Sequence, residues 1–361
     1  MPLRMPFFHW MNGSRHKTER ALSLLFARGI SRNEQSWQEM KGDSVMGSKI
    51  TIIGAGSVGA TIAYTLSREP FVSEILMIDV IKDKVDGEAM DIVQGTAFRD
   101  PVKVYSGDYC EAEGSDIVII TSGVARKPGQ SRIDLAQTNV NIIKSIAPEL
   151  KKHCPDALYV IVANPVDILT YAFIKFSGIP ANRVIGSGTL LDTARLRYIL
   201  SEKLSVGQNS ISACVFGEHG DTSFVPWSTA SISGVPIYEF ADLAAKDGEK
   251  VSALDEEEII TYVHKCGGEI IKRKGATFYG VTASVVELVS MLTSAYDSLT
   301  TVSVLVNGEY GVDDVCLSCM ALVGPQGVKG IIPVKLTQEE TEKFQKSAAA
   351  LKDVLGKLNL E

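Results

Sequence analysis

The sequence predicts an α/β chain: a parallel-sheet domain with helices on both faces, followed by a second domain of α+β character. Three observations carry this. From Lys49 onward, short apolar runs alternate with helical stretches, as in a parallel sheet whose crossovers are helices. The first run leads straight into a glycine turn, Gly54-Ala-Gly56-Ser-Val-Gly59, and then a helix. Past residue 189 the alternation gives way to longer helices and an antiparallel pair of strands.

Residues 1–46 stand apart. They are basic, lack strand alternation, and end where Met46-Gly47-Ser48-Lys49 opens a strand. Arg20 to Arg32 reads as a short arginine-flanked amphipathic helix of the kind found in mitochondrial transit peptides, but Glu34, Glu39 and Asp43 fit one poorly. We read the segment as an upstream extension, with a cytoplasmic protein folding from near Met46; a mitochondrial location would require a genuine transit peptide. Strands are expected at 49–53, 74–79, 117–121, 158–163 and 184–185, with a polar loop at 123–132. A helix at 190–204 and a buried strand at 210–216 follow, then a connection at 230–236 before a helical stretch. Residues 256–274 read as a long helix that Gly275 ends, and 281–298 as a buried helix rich in small residues. Strands at 302–306 and 315–323 form the antiparallel pair. The last helix opens at Thr337 with Glu340 three residues on, a capping box, and keeps Phe344, Ala348, Leu351, Leu355 and Leu358 at helical spacing.

Bulk properties exclude several classes. A chain of 361 residues, 45% hydrophobic and 22% charged, is an ordinary globular protein of about two domains. A net charge of −7 argues against nucleic acid or an anionic membrane as partner. No apolar run approaches the roughly 20 residues of a membrane helix. The six cysteines are scattered, as suits a reducing compartment. Cys316 and Cys319 fall in a strand, where their sulfurs point apart, so we expect no metal site there.

The glycine turn has a specific chemistry. Gly54 permits the tight turn, Gly56 lets backbone approach a pyrophosphate, and Gly59 lets helix and strand pack closely. The helix N-terminus then offers free N–H groups to phosphate. The second strand ends at Asp79, twenty residues past Gly59 (79 − 59 = 20). An acid there accepts hydrogen bonds from a ribose 2′-OH and repels a 2′-phosphate, which points to NAD and a Rossmann-type domain.

A nicotinamide cofactor needs a partner that moves the matching proton and a group that holds the substrate. His219, in Gly217-Glu-His-Gly-Asp-Thr222, is the candidate proton carrier, because imidazole titrates near neutrality. Such a histidine needs a carboxylate to fix its tautomer, and Asp192 is the candidate. Arg195, three residues further along the same helix, shares its face and is placed to clamp a substrate carboxylate through two parallel hydrogen bonds. Arg132, in the loop after the third expected strand, is the candidate cation that polarises a substrate carbonyl when that loop closes.

Together the GAGSVG, ANPVD, LLDTARLR and GEHGDTS runs resemble the lactate/malate dehydrogenase family, from Met46 to the C-terminus. The resemblance implies a 2-keto or 2-hydroxy acid as substrate, NAD as cofactor, and a homo-oligomer, tetramer or dimer. It implies residues 47–188 as the NAD-binding domain and 189–361 as the catalytic one. His219 would then be the acid/base, Asp192 its partner, Arg195 the carboxylate clamp and Arg132 the mobile-loop arginine. Asn164 matches the asparagine that contacts substrate and nicotinamide. Val58, Thr121, Gly123, Asn139, Val162 and Ser187 join Gly54, Gly56, Gly59 and Asp79 as implied cofactor contacts. Glu218, Trp227 and Thr277, the last an implied substrate contact, look like the bacterial lactate branch. Arg126 looks instead like the malate branch, where it would meet a second carboxylate. Lactate/pyruvate is the expectation on three positions against one, with malate/oxaloacetate as the alternative.

Overall fold

Six short segments build the parallel half: β1 (Ser48–Ile53), β2 (Val72–Ile78), β3 (Lys103–Ser106), β4 (Ile117–Ile120), β5 (Leu158–Ile161) and β6 (Val184–Gly186). In the computed structural model, which describes residues 47–98, 101–125, 129, 131–244 and 254–360, they lie in the order β3-β2-β1-β4-β5-β6. Ile117 to Ile120 and Leu158 to Ile161 are buried throughout, as central parallel strands covered on both faces should be. Burying one such side chain is worth about 1.5–3 kcal/mol. Strand propensities span only about 1 kcal/mol, so burial decides which runs become central strands. The connecting helices are α1 (Ser57–Leu66), α2 (Lys82–Gly95), α3 (Arg132–His153) and α4 (Val166–Ser177). The chain order reverses between β1 and β4, and the crevice at the carboxyl ends of the strands beside such a reversal is where doubly wound sheets take ligands.

The second half begins with α5 (Leu190–Leu204). Then β7 (Ile211–Ser212), β8 (Ser231–Ile232) and β9 (Val235–Pro236) form a small antiparallel sheet. Three helices follow, α6 (Ile237–Ala244), α7 (Glu256–Lys274) and α8 (Tyr279–Thr293). The long strands β10 (Ser298–Asn307) and β11 (Asp313–Gly324) and the shorter β12 (Gly327–Ile331) add antiparallel to β6, so one nine-stranded sheet runs through both halves. The last helix, α9 (Gln338–Leu355), opens on the expected capping box, with Thr337 Oγ1 and the Glu340 carboxylate each accepting the other's backbone N–H. Among the described residues no helix is long and apolar enough to cross a membrane.

The structure differs from the expected elements at five places. The edge strands β3 and β12 were not expected, because the first is short and partly exposed and the second carries Gly327 and Gly330. The apolar run 210–216 forms a strand only at Ile211 and Ser212 and a single bridge from Phe216 to Phe224, although Ala213 to Phe216 are buried as expected. The connection at 230–236 contains the pair β8 and β9. The helix expected at 281–298 stops at Thr293, and the polar residues that follow lead into β10, with Asp297 held by Lys329 at 2.7 Å. Cys316 and Cys319 both sit on β11 as free thiols, and burial pushes both thiols up. Residues 1–46 and Arg126 lie outside the described residues.

Candidate active site

At the carboxyl end of β1, Gly54 has a φ of 107°, a conformation open to glycine. A Cβ on Gly59 would lie 1.9 Å from the Gly54 carbonyl oxygen, so α1 meets the turn only without a side chain there. At Gly56 a Cβ would meet nothing within 4 Å, which leaves open ground before α1. That helix has no side-chain cap and no acid in its first turn, so its N-terminal N–H groups are unclaimed. Thr121, at the end of β4, shares its hydroxyl proton between the Ile53 and Gly54 carbonyls at 3.1 and 3.0 Å and so braces the turn. Asp79 follows β2, accepting the Ala55 N–H at 2.6 Å and the Ile81 N–H at 2.9 Å. A carboxylate has about four acceptor positions; the two that remain are available to ribose hydroxyls. Beyond it Val80 and Ile81 are exposed, an apolar surface suited to a base. Glycine cradle, uncapped helix and acid fit a dinucleotide.

Asn139, one of the expected cofactor contacts, braces the loops beside the cleft. It is buried on α3, where its amide accepts the Val124 N–H and donates to the Val124 and Asn164 carbonyls at 3.3 and 2.7 Å. It therefore positions the loops after β4 and β5, including Gly123. Asn164 itself is exposed, and no described residue bonds its side-chain amide.

The reactive cluster is assembled by three elements. Just before α5 the Thr189 hydroxyl donates to the Val215 carbonyl at 2.5 Å, and on α5 the Thr193 hydroxyl accepts the Val215 N–H at 3.0 Å. These bonds satisfy the Val215 backbone in place of a neighbouring strand and fix α5 against the segment that leads to His219. Gly217 then pairs with Ser318 of β11 at 2.9 and 3.1 Å. The His219 N–H donates to Asp167 Oδ2 at 2.8 Å, an acid in the first turn of α4 whose other oxygen accepts from Ser303 Oγ at 2.5 Å. Burial raises Asp167 to about 6 against the pull of these bonds, so it is mostly charged at neutral pH.

The side chains of His219, Asp192 and Arg195 form one chain. Nδ1 of His219 is 2.5 Å from Asp192 Oδ2, and Arg195 Nη1 donates to Asp192 Oδ1 at 2.8 Å. The carboxylate side chain is only 7% exposed and the guanidinium 12%, so this is no solvated surface pair. Burial opposes charge on both partners. For Asp192 the neighbouring His219 and Arg195 outweigh it and hold the carboxyl below its usual range. For His219 the Asp192 charge and hydrogen bond, with help from Asp167, outweigh it and raise the imidazole above 6.5. Nδ1 is thus committed to Asp192, leaving Nε2 to give or take a proton.

These three residues line a single cavity of about 330 Å³. Val58, Val162, Asn164 and Ser187 line it as well, joining the nucleotide cleft to the cluster, and so does Thr277. Arg132 lies beside this cavity, not in it: it opens α3 and pairs with Asp221 at 2.8 Å, both side chains being at least 70% exposed. An exposed pair is worth at most about 1 kcal/mol, so it is a weak tether on a residue that Asp221, itself at the cavity wall, keeps close by. Sequence reasoning assigned no role to Asp167, Ser303, Ser223 or His264. An acid inside the apolar run Val166 to Phe173 was a readable signal for the first; the others are brought in only by tertiary packing. Among the described residues no group of His, Cys, Asp or Glu is arranged to hold a metal ion.

Fold and cluster together define a dinucleotide-binding protein with an acid–base pocket at the mouth of its cleft. Residues 48–186 match the family described as lactate/malate dehydrogenase, NAD binding domain, and residues 189–359 its alpha/beta C-terminal domain. The chain belongs to the lactate/malate dehydrogenase family. A relative from Acetivibrio thermocellus, named L-lactate dehydrogenase, is 44% identical over 312 residues, covering 86% of this chain and 98% of its own. L-lactate dehydrogenase 1 of Clostridium acetobutylicum is 44% identical over 311 residues, with 86% and 98% covered. Among solved structures, the minor L-lactate dehydrogenase of Enterococcus mundtii in a ligand-bound form superposes with a TM-score of 0.82 at 37% identity, covering 87% of this chain and 99% of that one.

Proposed function

We propose that the protein catalyses the reversible, NAD-dependent interconversion of L-lactate and pyruvate. The observation that carries this is the unbroken His219–Asp192–Arg195 chain in the cavity that also borders the glycine-turn cleft. Arg195 uses one N–H on Asp192 and keeps its other donors for the substrate carboxylate. Asp192 orients the imidazole and stabilises its charged form, and His219 moves a proton at the substrate oxygen through Nε2. Arg132, released from Asp221, stabilises negative charge developing on that oxygen. When bound, the nicotinamide supplies or accepts the hydride. Residues 47–188 then hold the cofactor and 189–361 most of the substrate machinery, with 1–46 an extension.

Relatives named L-lactate dehydrogenase support pyruvate over oxaloacetate. The alternative, malate, rests on Arg126 alone. The deciding measurement is kcat/KM with NADH for the two acids: pyruvate is expected ahead by at least about tenfold, since an uncompensated second carboxylate costs several kcal/mol. A preference for oxaloacetate would assign the protein to the malate branch.

The cofactor reading has its own check. Asp79→Ser removes a charged acceptor, and hydrogen bonds to charged groups are worth about 1.5–3 kcal/mol. We expect the KM for NADH to rise by about 10–100-fold and the preference over NADPH to shrink, with kcat little changed. An unaltered NADH/NADPH ratio would exclude Asp79 from the ribose site.

A further inference from the structure

No step of the proposed reaction uses Asp167. The residue is buried, and each of its oxygens has one partner: Oδ2 accepts the His219 N–H at 2.8 Å and Oδ1 accepts from Ser303 Oγ at 2.5 Å. Ser303, fully buried on β10, packs so closely on β6 that a Cβ at Gly186 would lie 2.8 Å from its own. The carboxylate is therefore held in one place, behind the loop that carries the imidazole. Among the described residues it pairs with no lysine or arginine. The charged and titratable groups that face it are His219 and Glu218 on that loop and Cys316 on β11, with Asp192 and Arg195 of α5 beyond the ring.

Bonds to one N–H and one hydroxyl do not call for an acid. An asparagine would accept the same N–H and donate to Ser303 Oγ, without the penalty of burying a charge. The first turn of α4 favours an anion, because the helix dipole is positive there, but an exposed acid would answer that equally well. What only a carboxylate supplies at this depth is negative charge. The one cation it faces directly is the ring of His219 when protonated. Asp192, by contrast, divides its charge between that ring and Arg195. In formal charge Asp192 and Arg195 cancel, and Asp167 is left to balance the imidazolium.

We infer that Asp167 is a positioning residue of the proton carrier: from behind the loop it fixes the His219 backbone, and its charge helps to hold the proton on the ring. As a statement about catalysis this rests on the dehydrogenase reading above; as a statement about the ring it does not. Asp167→Asn keeps the size and both hydrogen bonds and removes the charge. Ser303→Ala keeps the charge and removes one of its two donors. The ring of His219 is titrated directly, by NMR of the full chain with ¹³C-labelled histidines, its signal being the one missing from His219→Ala. In Asp167→Asn the ring is expected to lose its proton about one pH unit lower than in wild type, the low end of what a neighbouring charge does. Pyruvate reduction should follow, with kcat/KM kept on the low-pH plateau and about tenfold lower at a pH above both limbs. Ser303→Ala, which leaves the carboxylate harder to charge, should move the ring in the same direction by less. A ring that keeps its wild-type titration in both variants would overturn the inference. So would a kcat/KM lowered equally at every pH, the mark of an acid that only supports the fold. Should the thermal midpoint show that Asp167→Asn does not fold, Ser303→Ala decides alone. No turnover of pyruvate or oxaloacetate by wild type would sink the dehydrogenase reading instead, and the ring titration would still judge Asp167.

Discussion

Replacing His219 with alanine is expected to lower kcat for pyruvate reduction by about a thousandfold, the middle of the range that general acid–base catalysis supplies. NADH affinity should stay within about twofold, because the glycine turn, the α1 N-terminus and Asp79 are untouched. The pH dependence follows from the charge of the ring. Asp192 and Asp167 outweigh burial and raise His219 above 6.5, so the free enzyme carries an imidazolium at and below that pH. Pyruvate reduction consumes that proton, so its kcat/KM should be level at low pH and fall as pH rises through the raised value. Lactate oxidation needs the neutral ring, so its kcat/KM should rise over the same interval. Steady-state rates in both directions and fluorescence titration of NADH check this; wild-type turnover in the alanine variant would remove His219 from the chemistry.

Much of this site was legible in the sequence because each part has a local reason. Gly54, Gly56 and Gly59 meet backbone demands made within one strand–turn–helix unit, and spacing alone brings Asp79 back beside the turn. Asp192 and Arg195 are three residues apart on one helix, so their pairing needs no knowledge of the fold. What was illegible depends on distant partners. The run 210–216 carries a strand's apolar pattern, yet its Val215 backbone is satisfied by the Thr189 and Thr193 hydroxyls, a substitution no periodicity can reveal. Asn139 came only from the resemblance, and the backbone bonds its buried amide makes to Val124 and Asn164 depend on loops distant in sequence. The place of Gly267 and Gly268 beside Arg195 and the cavity likewise comes from packing and not from any local pattern.

Asp192→Asn tests the pair that the site is built on. The carboxylate serves two cations, and asparagine can accept from one of them but neutralises neither. Kcat for pyruvate should fall by about 10²–10⁴-fold, the scale seen when a histidine loses its tautomer-fixing acid. The informative part is the pH profile. With the Asp192 charge and hydrogen bond gone, only Asp167 still opposes burial at His219, and its pKa drops. The reduction limb then moves to lower pH, and activity lost at neutrality is partly recovered on acidification; a loss independent of pH would mean that Asp192 only supports the fold. Stability has a matching signature. His219, raised in the folded state, contributes stability that is complete below about 6.5 and is lost as pH rises through its folded value. Asp192, lowered in the folded state, contributes stability that is present above about 3.8 and is lost as pH falls through its folded value. Both contributions operate between those limits, so the gap in thermal midpoint between wild type and variant should be widest near pH 5–6 and narrow on either side. Breaking a buried ion pair costs about 3–5 kcal/mol, and a gap that is flat with pH would show that the pair does not titrate as a unit.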